Sequence, residues 1–550
     1  MYPAFFYLFS QPKNFKQEVI TIIITDSGHF HFTRAMIAPI ASPLAGASAR
    51  GPFTTEPTTT DPYRYQPGFG NRFATEAIPG VLPQACNTPQ RCKYDLISEQ
   101  LNGTPFVSPR ASLLHAWFYR IHPSVAHRPF KRLPKQPDLE ATFSPLNPNV
   151  EFSPQDLGWD QFSIPSTAEG DEIDFVDVLK TIGGHGDPTV KEGLAVHVYL
   201  ANAPMRNRAF CNNDGDMLIL PQEGRLDIQT EFGRLMARPG ELVVIQAGMR
   251  FTVTLPDGVG RGYIQEIYGS HYELPELGPV GSNGMALPRD FEIPVASFDV
   301  DLSPWEMVVK LAGQLFAYSQ DHTPYDVVAW HGNYAPYKYA MEKFVASATV
   351  DRDQSDPSIY CVLTARSKIP GVALSDFLVF TPKWSVTRNT FRPPYYHRNV
   401  ATEIMGMMYG TWHGSATVLA PGGLTYEPSY MPHGESYERW KEATAADLRP
   451  ERVGEGAMAF MMHISGHVSL TKYALERSGA LQPIQADMWQ GFKPGFLDHI
   501  DQVREDLAAA GLPALDRGGS LPSKGASTPS QNGIKMNGIM KNGNGDSLHK

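Results

Sequence analysis

His397 and Glu403 stand six residues apart in FRPPYYHRNVATE, and His433 follows thirty residues further on in YMPHGE. Two neutral imidazoles and a carboxylate are the donor set that holds Fe(II) on one face and leaves other coordination positions open, so the pattern suggests a facial triad that activates dioxygen. The same donors also accept Mn(II) and Zn(II). Spacing alone does not single the three out, because 17 histidines and 57 acids in 550 residues make some His/Glu grouping expected by chance. The flanking residues add the weight. Prolines stiffen the backbone just before His397, and the MPHG turn fixes it at His433. Both segments read as strand ends that feed a pocket.

The elements that must position these side chains read as strands. The chain carries 47 prolines and 48 glycines, which punctuate short alternating runs rather than long helices. LAVHVYLAN, MLILPQEGRLDIQTEFGRLM and PGELVVIQAGMRFTVTL are consecutive strands with glycine-centred hairpins, the pattern of a β-barrel or β-sandwich. The expected fold class is mainly β, with cupin-like β-barrel or β-sandwich domains and a few helices. LSPWEMVVKLAGQL and PERVGEGAMAFMM have partial helical spacing, and DHIDQVREDLAAAGL has full helical periodicity with a glycine at its C-terminal end. The segment from Asp214 to Phe251 resembles a cupin hairpin in its Pro-Gly turn and following glycine. It has Arg250 and Phe251 where a metal-binding cupin would place histidines, so this first β region is expected to hold no metal.

Composition bounds the function. A chain of 550 residues with 42% hydrophobic side chains has room for large cores and more than one domain. Its net charge of −10, with no basic face, argues against nucleic acid as a partner. The apolar runs AFFYLF and VITIIIT are far shorter than the roughly 18 residues that cross a bilayer, so no membrane span is expected. Cys86, Cys92, Cys211 and Cys361 form no C-x-x-C pair, which excludes a disulfide framework and a zinc knuckle and fits the reducing cytoplasm.

Four segments follow from these patterns. Residues 1–62 are expected to be a flexible N-terminal extension with Met36 as an alternative start; the acid-free stretch from Gly28 to Thr55, with Arg34 and Arg50, faintly resembles a targeting peptide. Residues 63–345 form an N-terminal β domain, 346–515 a C-terminal iron-binding cupin-like domain, and 516–550 a disordered tail rich in Gly, Ser, Asn and Lys.

YQPGFGNRFATEA, NTPQRCKYDLISEQLNGTPF, WFYRIHPSVAHRPF, NNDGDMLILPQEG, LPELGPVGSNGMALPRDF, VVAWHGNYAPYKY and FRPPYYHRNVATEIMG resemble, in order from about Tyr65 to Phe496, the homogentisate 1,2-dioxygenase family. The resemblance implies a cupin-type architecture, Fe(II) on His397, Glu403 and His433, and a hexamer built of two trimers. It also implies a small aromatic substrate and O2, with the hydroquinone ring of homogentisate opened to maleylacetoacetate in tyrosine and phenylalanine catabolism.

Two departures from the family pattern stand where substrate binds. The family has a histidine before its D-P-S-I block that takes a proton from the ring hydroxyl; here the aligned residue is Gln354, whose amide cannot act as a base near neutral pH. The family's R-G-H-Y is replaced by Y-G-T-W, which puts Tyr409 and Trp412 at the Arg and Tyr positions. Trp412, Tyr409 and His433 are the residues expected to contact substrate. His413 could supply the absent base by turning inward, although the next residue along a strand normally points away. His331, in WHGNYAPYKY, is a further candidate, with a hydrogen-bonded core histidine as its alternative. His463 and His467 read as structural or solvent-facing. Two other functions stand beside the family activity: a paralogue retuned for another hydroquinone or gentisate-like acid, and a cupin that binds iron without turnover.

Overall fold

The computed structural model describes residues 18–24, 30–36 and 57–515 except 84–89, 105, 109, 167–171, 279–285, 347–356, 385–395, 412–417, 448 and 485–490. Gln354, Trp412, His413, most of the N-terminal extension and the 516–550 tail therefore lie outside the described residues. Within the extension, Glu18–Ile24 and Phe30–Met36 pair as antiparallel strands. The β-branched run VITIIIT favours the extended backbone.

The fold is mainly β, as the sequence implies. The largest sheet has ten strands and centres on Glu192–Ala201, Gly260–Tyr268 and Gly215–Glu223, which pair antiparallel. Nearly every residue of these strands is buried, so the near-continuous apolar runs reflect a sheet covered on both faces. Trp305–Leu311 and Gln314–Gln320 pair within a seven-stranded sheet. This corrects the helical reading of LSPWEMVVKLAGQL. Ala312 and Gly313 both have positive φ, 51° and 71°, the backbone of a two-residue hairpin turn that a helix cannot contain. PERVGEGAMAFMM is likewise extended, as Arg452–Val453 and Met458–Ile464.

A second seven-stranded sheet carries the site. Its order runs Tyr272–Glu273, Cys361–Arg366, Ala373–Phe380, Met458–Ile464, Thr402–Tyr409, Leu424–Glu427 and Leu157–Trp159. Strands from early in the chain thus form both edges of a sheet whose middle comes from the C-terminal third. The exchange is mutual: Ser469–Thr471 pairs with Lys180–Asp187 in the ten-stranded sheet. Through Ala486 the chain forms one compact unit.

From Asp487 the chain forms a second unit. It contains the helix Ile500–Ala509, which ends before Gly511 at φ 68° as the periodicity of DHIDQVREDLAAAGL predicts. The helix Tyr437–Ala445, in the first unit, is not evident in the periodicity; Ser436 caps it by accepting from the Arg439 N–H. No helix among the described residues is long and apolar enough to cross a membrane. Cys92, Cys211 and Cys361 are free thiols.

Candidate metal centre

Glu403 lies near the start of Thr402–Tyr409, in the interior of its sheet, opposite Glu427 on one neighbouring strand and His463 on the other. Directly opposed residues project from the same face, so these three side chains form a row. His397 and His433 face each other across a separate short pair, Tyr396–His397 with His433–Gly434. Their ring centroids are 4.1 Å apart. The turn that returns the chain to His433 is fixed by Tyr430, whose φ is 62° and whose N–H donates to the Asn399 carbonyl at 2.7 Å.

These two pairings bring the three sequence-predicted ligands together. His397 Nε2 is 3.6 Å from Glu403 Oε1, and His433 Nε2 is 3.7 Å from Glu403 Oε2. Such separations allow one divalent ion, with ligand bonds of about 2.0–2.2 Å, to touch all three. His433 supplies the fit test. Its Nδ1 donates to the Met431 carbonyl at 3.0 Å, while Nε2 is buried with no hydrogen-bond partner. With Nδ1 engaged in this way, the ring turns its unpartnered Nε2 toward Glu403, as a metal ligand would. Glu403 and His433 are buried, whereas the His397 side chain is 31% exposed, which leaves that side of the cluster open.

Electrostatics point the same way. Burial raises the Glu403 pKa, but the three imidazoles around it, His397, His433 and His463, together with the Asn399 hydrogen bond, outweigh it and hold the carboxyl well below its usual range. Burial opposes charge on His433, yet its contact with Glu403 and the nearby Glu427 raise its pKa. Asp156 is raised by burial and by Glu403, with His433 opposing. Three carboxylates thus surround the imidazoles. A cation is the natural complement.

The other expected residues fall elsewhere. Tyr409 ends the strand that begins beside Glu403, six residues or about 20 Å away at the usual rise. Burial and Glu342 raise its phenol pKa, and its ring lies against Gly240. It is not brought to the triad. His331 sits in a four-stranded sheet, its Nε2 3.2 Å from the Tyr119 hydroxyl, with its pKa lowered by burial and by the charges of His115 and Arg72. This is the core-histidine alternative. His463 differs from expectation in the other direction: its Nε2 is 3.5 Å from Glu403 Oε1. His467 contacts the Ser429 hydroxyl at 2.6 Å. Sequence reasoning also missed Asn399, whose side-chain amide donates to Glu403 Oε1 and whose Oδ1 accepts from the Ala401 N–H. An Asn between two candidate ligands was the available signal.

Two imidazoles and a carboxylate converging beside the middle of a β-sheet define a candidate non-haem metal centre in a β-fold enzyme. Residues 64–341 match the family described as homogentisate 1,2-dioxygenase N-terminal, and residues 342–496 match homogentisate 1,2-dioxygenase C-terminal. The chain is 47% identical to homogentisate 1,2-dioxygenase of Arabidopsis thaliana over 438 residues, 79% of this chain and 93% of that one. It is 45% identical to the Mus musculus enzyme of the same name over 437 residues, 79% of this chain and 97% of that one. The chain belongs to the homogentisate 1,2-dioxygenase family, and so to the ring-cleaving dioxygenases, which work through a bound metal. Salicylate 1,2-dioxygenase from Pseudaminobacter salicylatoxidans superposes with a TM-score of only 0.23 at 9% identity, over 53% of this chain and 80% of that one.

Proposed function

We propose that this protein opens the aromatic ring of homogentisate with dioxygen, both oxygen atoms entering the product maleylacetoacetate, and that His397, Glu403 and His433 hold the Fe(II) it needs. The reading is carried by the convergence of those three side chains in a chain whose two halves match one family. Bound there, Fe(II) supplies open coordination positions and the one-electron chemistry that lets triplet dioxygen react with a singlet arene. The protein's part is orientation. The Met431 carbonyl orients the His433 ring, Asn399 and His463 hold the Glu403 carboxylate, and the exposed side of His397 leaves a way in for a small aromatic acid. The protein works in the cytoplasm, consistent with its free thiols, and assembles as a hexamer of two trimers, as its family resemblance implies.

Oxygen uptake by Fe(II)-loaded protein tests the reading, with homogentisate, gentisate and substituted hydroquinones as substrates and iron per chain measured in parallel. Homogentisate should consume one O2 per ring opened, and Glu403→Ala should lose iron and oxygen uptake together. Uptake that survives in a Glu403→Ala protein without iron would sink the assignment.

A further inference from the structure

A second grouping of ligand-type side chains lies in the N-terminal β region, which was expected to hold no metal. Ala116–Arg120 pairs antiparallel with Val327–Gly332, Arg120 opposite Val327. Just beyond that pair stand His122 on one chain and Asp326 on the other, tied by the Ile121 N–H donating to the Asp326 carbonyl at 3.2 Å. His322 follows the strand Gln314–Gln320, and its carbonyl accepts from the Gln320 side-chain amide at 2.8 Å. With the backbone anchored in this way, the rings of His122 and His322 stack with centroids 4.2 Å apart, and His122 Nδ1 lies 2.9 Å from Asp326 Oδ2. One donor from each of the three residues is within 4.8 Å of the other two.

Asp326 is rigid. Its side chain is 1% exposed; Oδ1 accepts from Arg120 Nε at 3.0 Å and Nη2 at 2.9 Å, and Oδ2 also accepts from the His122 backbone N–H at 2.7 Å. Arg120 would oppose an added cation, but it also pairs with Glu99 and Glu231, and Arg250 lies near Glu231. Three carboxylates face two guanidiniums, so the cluster is net negative. His322 is buried, and its ring is held against that of His122. Two tetrahedral ligands with bonds of about 2.1 Å stand about 3.4 Å apart, so the 2.9 Å pair must open by about half an ångström to admit an ion, a shift the part-exposed His122 ring can make. The ion takes the place of the proton between Nδ1 and Oδ2. The 35% exposure of His122 gives it a route in and room for water as a further ligand.

We infer that His122, His322 and Asp326 form a second divalent-metal site, suited to a borderline ion such as Zn(II), that clamps three strand ends together independently of the dioxygenase centre. The test is equilibrium dialysis of the full chain against Zn(II), with metal counted per chain in a Glu403→Ala background that disables the first centre. One Zn(II) should remain in Glu403→Ala, and none after His122→Leu or His322→Val is added, with affinity falling at least about 100-fold. In the iron-loaded protein without Glu403→Ala, Zn(II) should raise the thermal midpoint, and His122→Leu should abolish that rise while leaving iron content and oxygen uptake unchanged. A Glu403→Ala protein that retains no Zn(II), or His122→Leu and His322→Val variants that retain as much as their parent, would overturn the site without touching the assignment of His397, Glu403 and His433.

Discussion

A carboxylate ligand is only as well placed as the groups that hold it. Glu403 Oε1 receives the Asn399 amide from the loop before its strand and faces His463 from the strand beside it. Removing a partner of this kind typically costs a metal site about 10- to 100-fold in affinity. Asn399→Ala and His463→Ala should therefore each weaken Fe(II) binding by about that factor in a metal titration, with an unchanged far-ultraviolet spectrum; unchanged affinity in both would show that they do not position the ligand. The three proposed ligands could be grouped from sequence because they fall within 37 residues of chain, flanked by proline and turn signals. His463 was not legible, because it reaches Glu403 only through a strand register that no local pattern encodes. Gln354 and Trp412, at positions where the family resemblance implies His and Tyr, belong to this scale too. If proton removal from the substrate limits turnover, Gln354→His combined with Trp412→Tyr should raise the rate on homogentisate by about 10² or more. A wild-type rate that the double variant fails to improve would show that neither position limits the reaction.

At the scale of the element, the strand that carries Glu403 owes its position to a close approach. A Cβ on Gly406 would meet Phe460 Cζ at 2.3 Å and Cε1 at 2.4 Å, so the Phe460 ring lies flush over the backbone. Phe460 in turn stacks on Phe377 with centroids 5.8 Å apart and meets the Tyr263 ring edge-on at 5.0 Å, which leaves it no room to retreat. Gly406→Ala should destabilise the protein by about 1–3 kcal/mol, the usual cost of overpacking. Because Phe460 shares its strand with His463, iron affinity should fall as well. Denaturant midpoints and a metal titration on one sample test both, and a shift in neither would show that the packing yields. Element type was read correctly where alternation and glycine turns were strong, as in the hairpins from Met217 to Leu255. It failed at LSPWEMVVKLAGQL because Val308 and Val309 are both buried, on a strand covered from both sides, and the alternation that marks a half-exposed strand is lost. The Ala312–Gly313 turn was the missed signal.

At the scale of the whole molecule, a sequence reading divides the chain near residue 345, whereas the sheets exchange strands across that point. Leu157–Trp159 lies at the edge of the site-bearing sheet because Leu424, Thr425 and Tyr426 pair with it, and nothing in three residues of LGW announces a partner more than 260 positions away. The same holds for the buried ionic group around Lys310. Lys310 Nζ contacts Glu266 at 2.7 Å and Asp214 at 2.9 Å, and His197 Nε2 lies 3.1 Å from the other Glu266 oxygen, with all four side chains at most 3% exposed. Burial alone would raise the Glu266 pKa, but Lys310 and His197 outweigh it and bring it down to about 2, from an ordinary value of 4.5. A carboxyl whose pKa is depressed in the folded state contributes stability that is complete above its unfolded pKa and is lost as pH falls through the folded one. A shift of this size corresponds to roughly 3 kcal/mol, so wild-type stability should decline as pH drops from about 4.5 toward 2. Lys310→Met removes the cation and leaves Glu266 and Asp214 buried together, a change that typically costs about 3–5 kcal/mol at neutral pH. In the variant, protonation relieves the uncompensated charge, so its deficit should be largest near pH 7 and narrow on acidification. Urea denaturation of both proteins at pH 7 and pH 4 provides the check. A deficit that stays constant across that range would mean that Lys310 stabilises the fold by packing rather than by its charge.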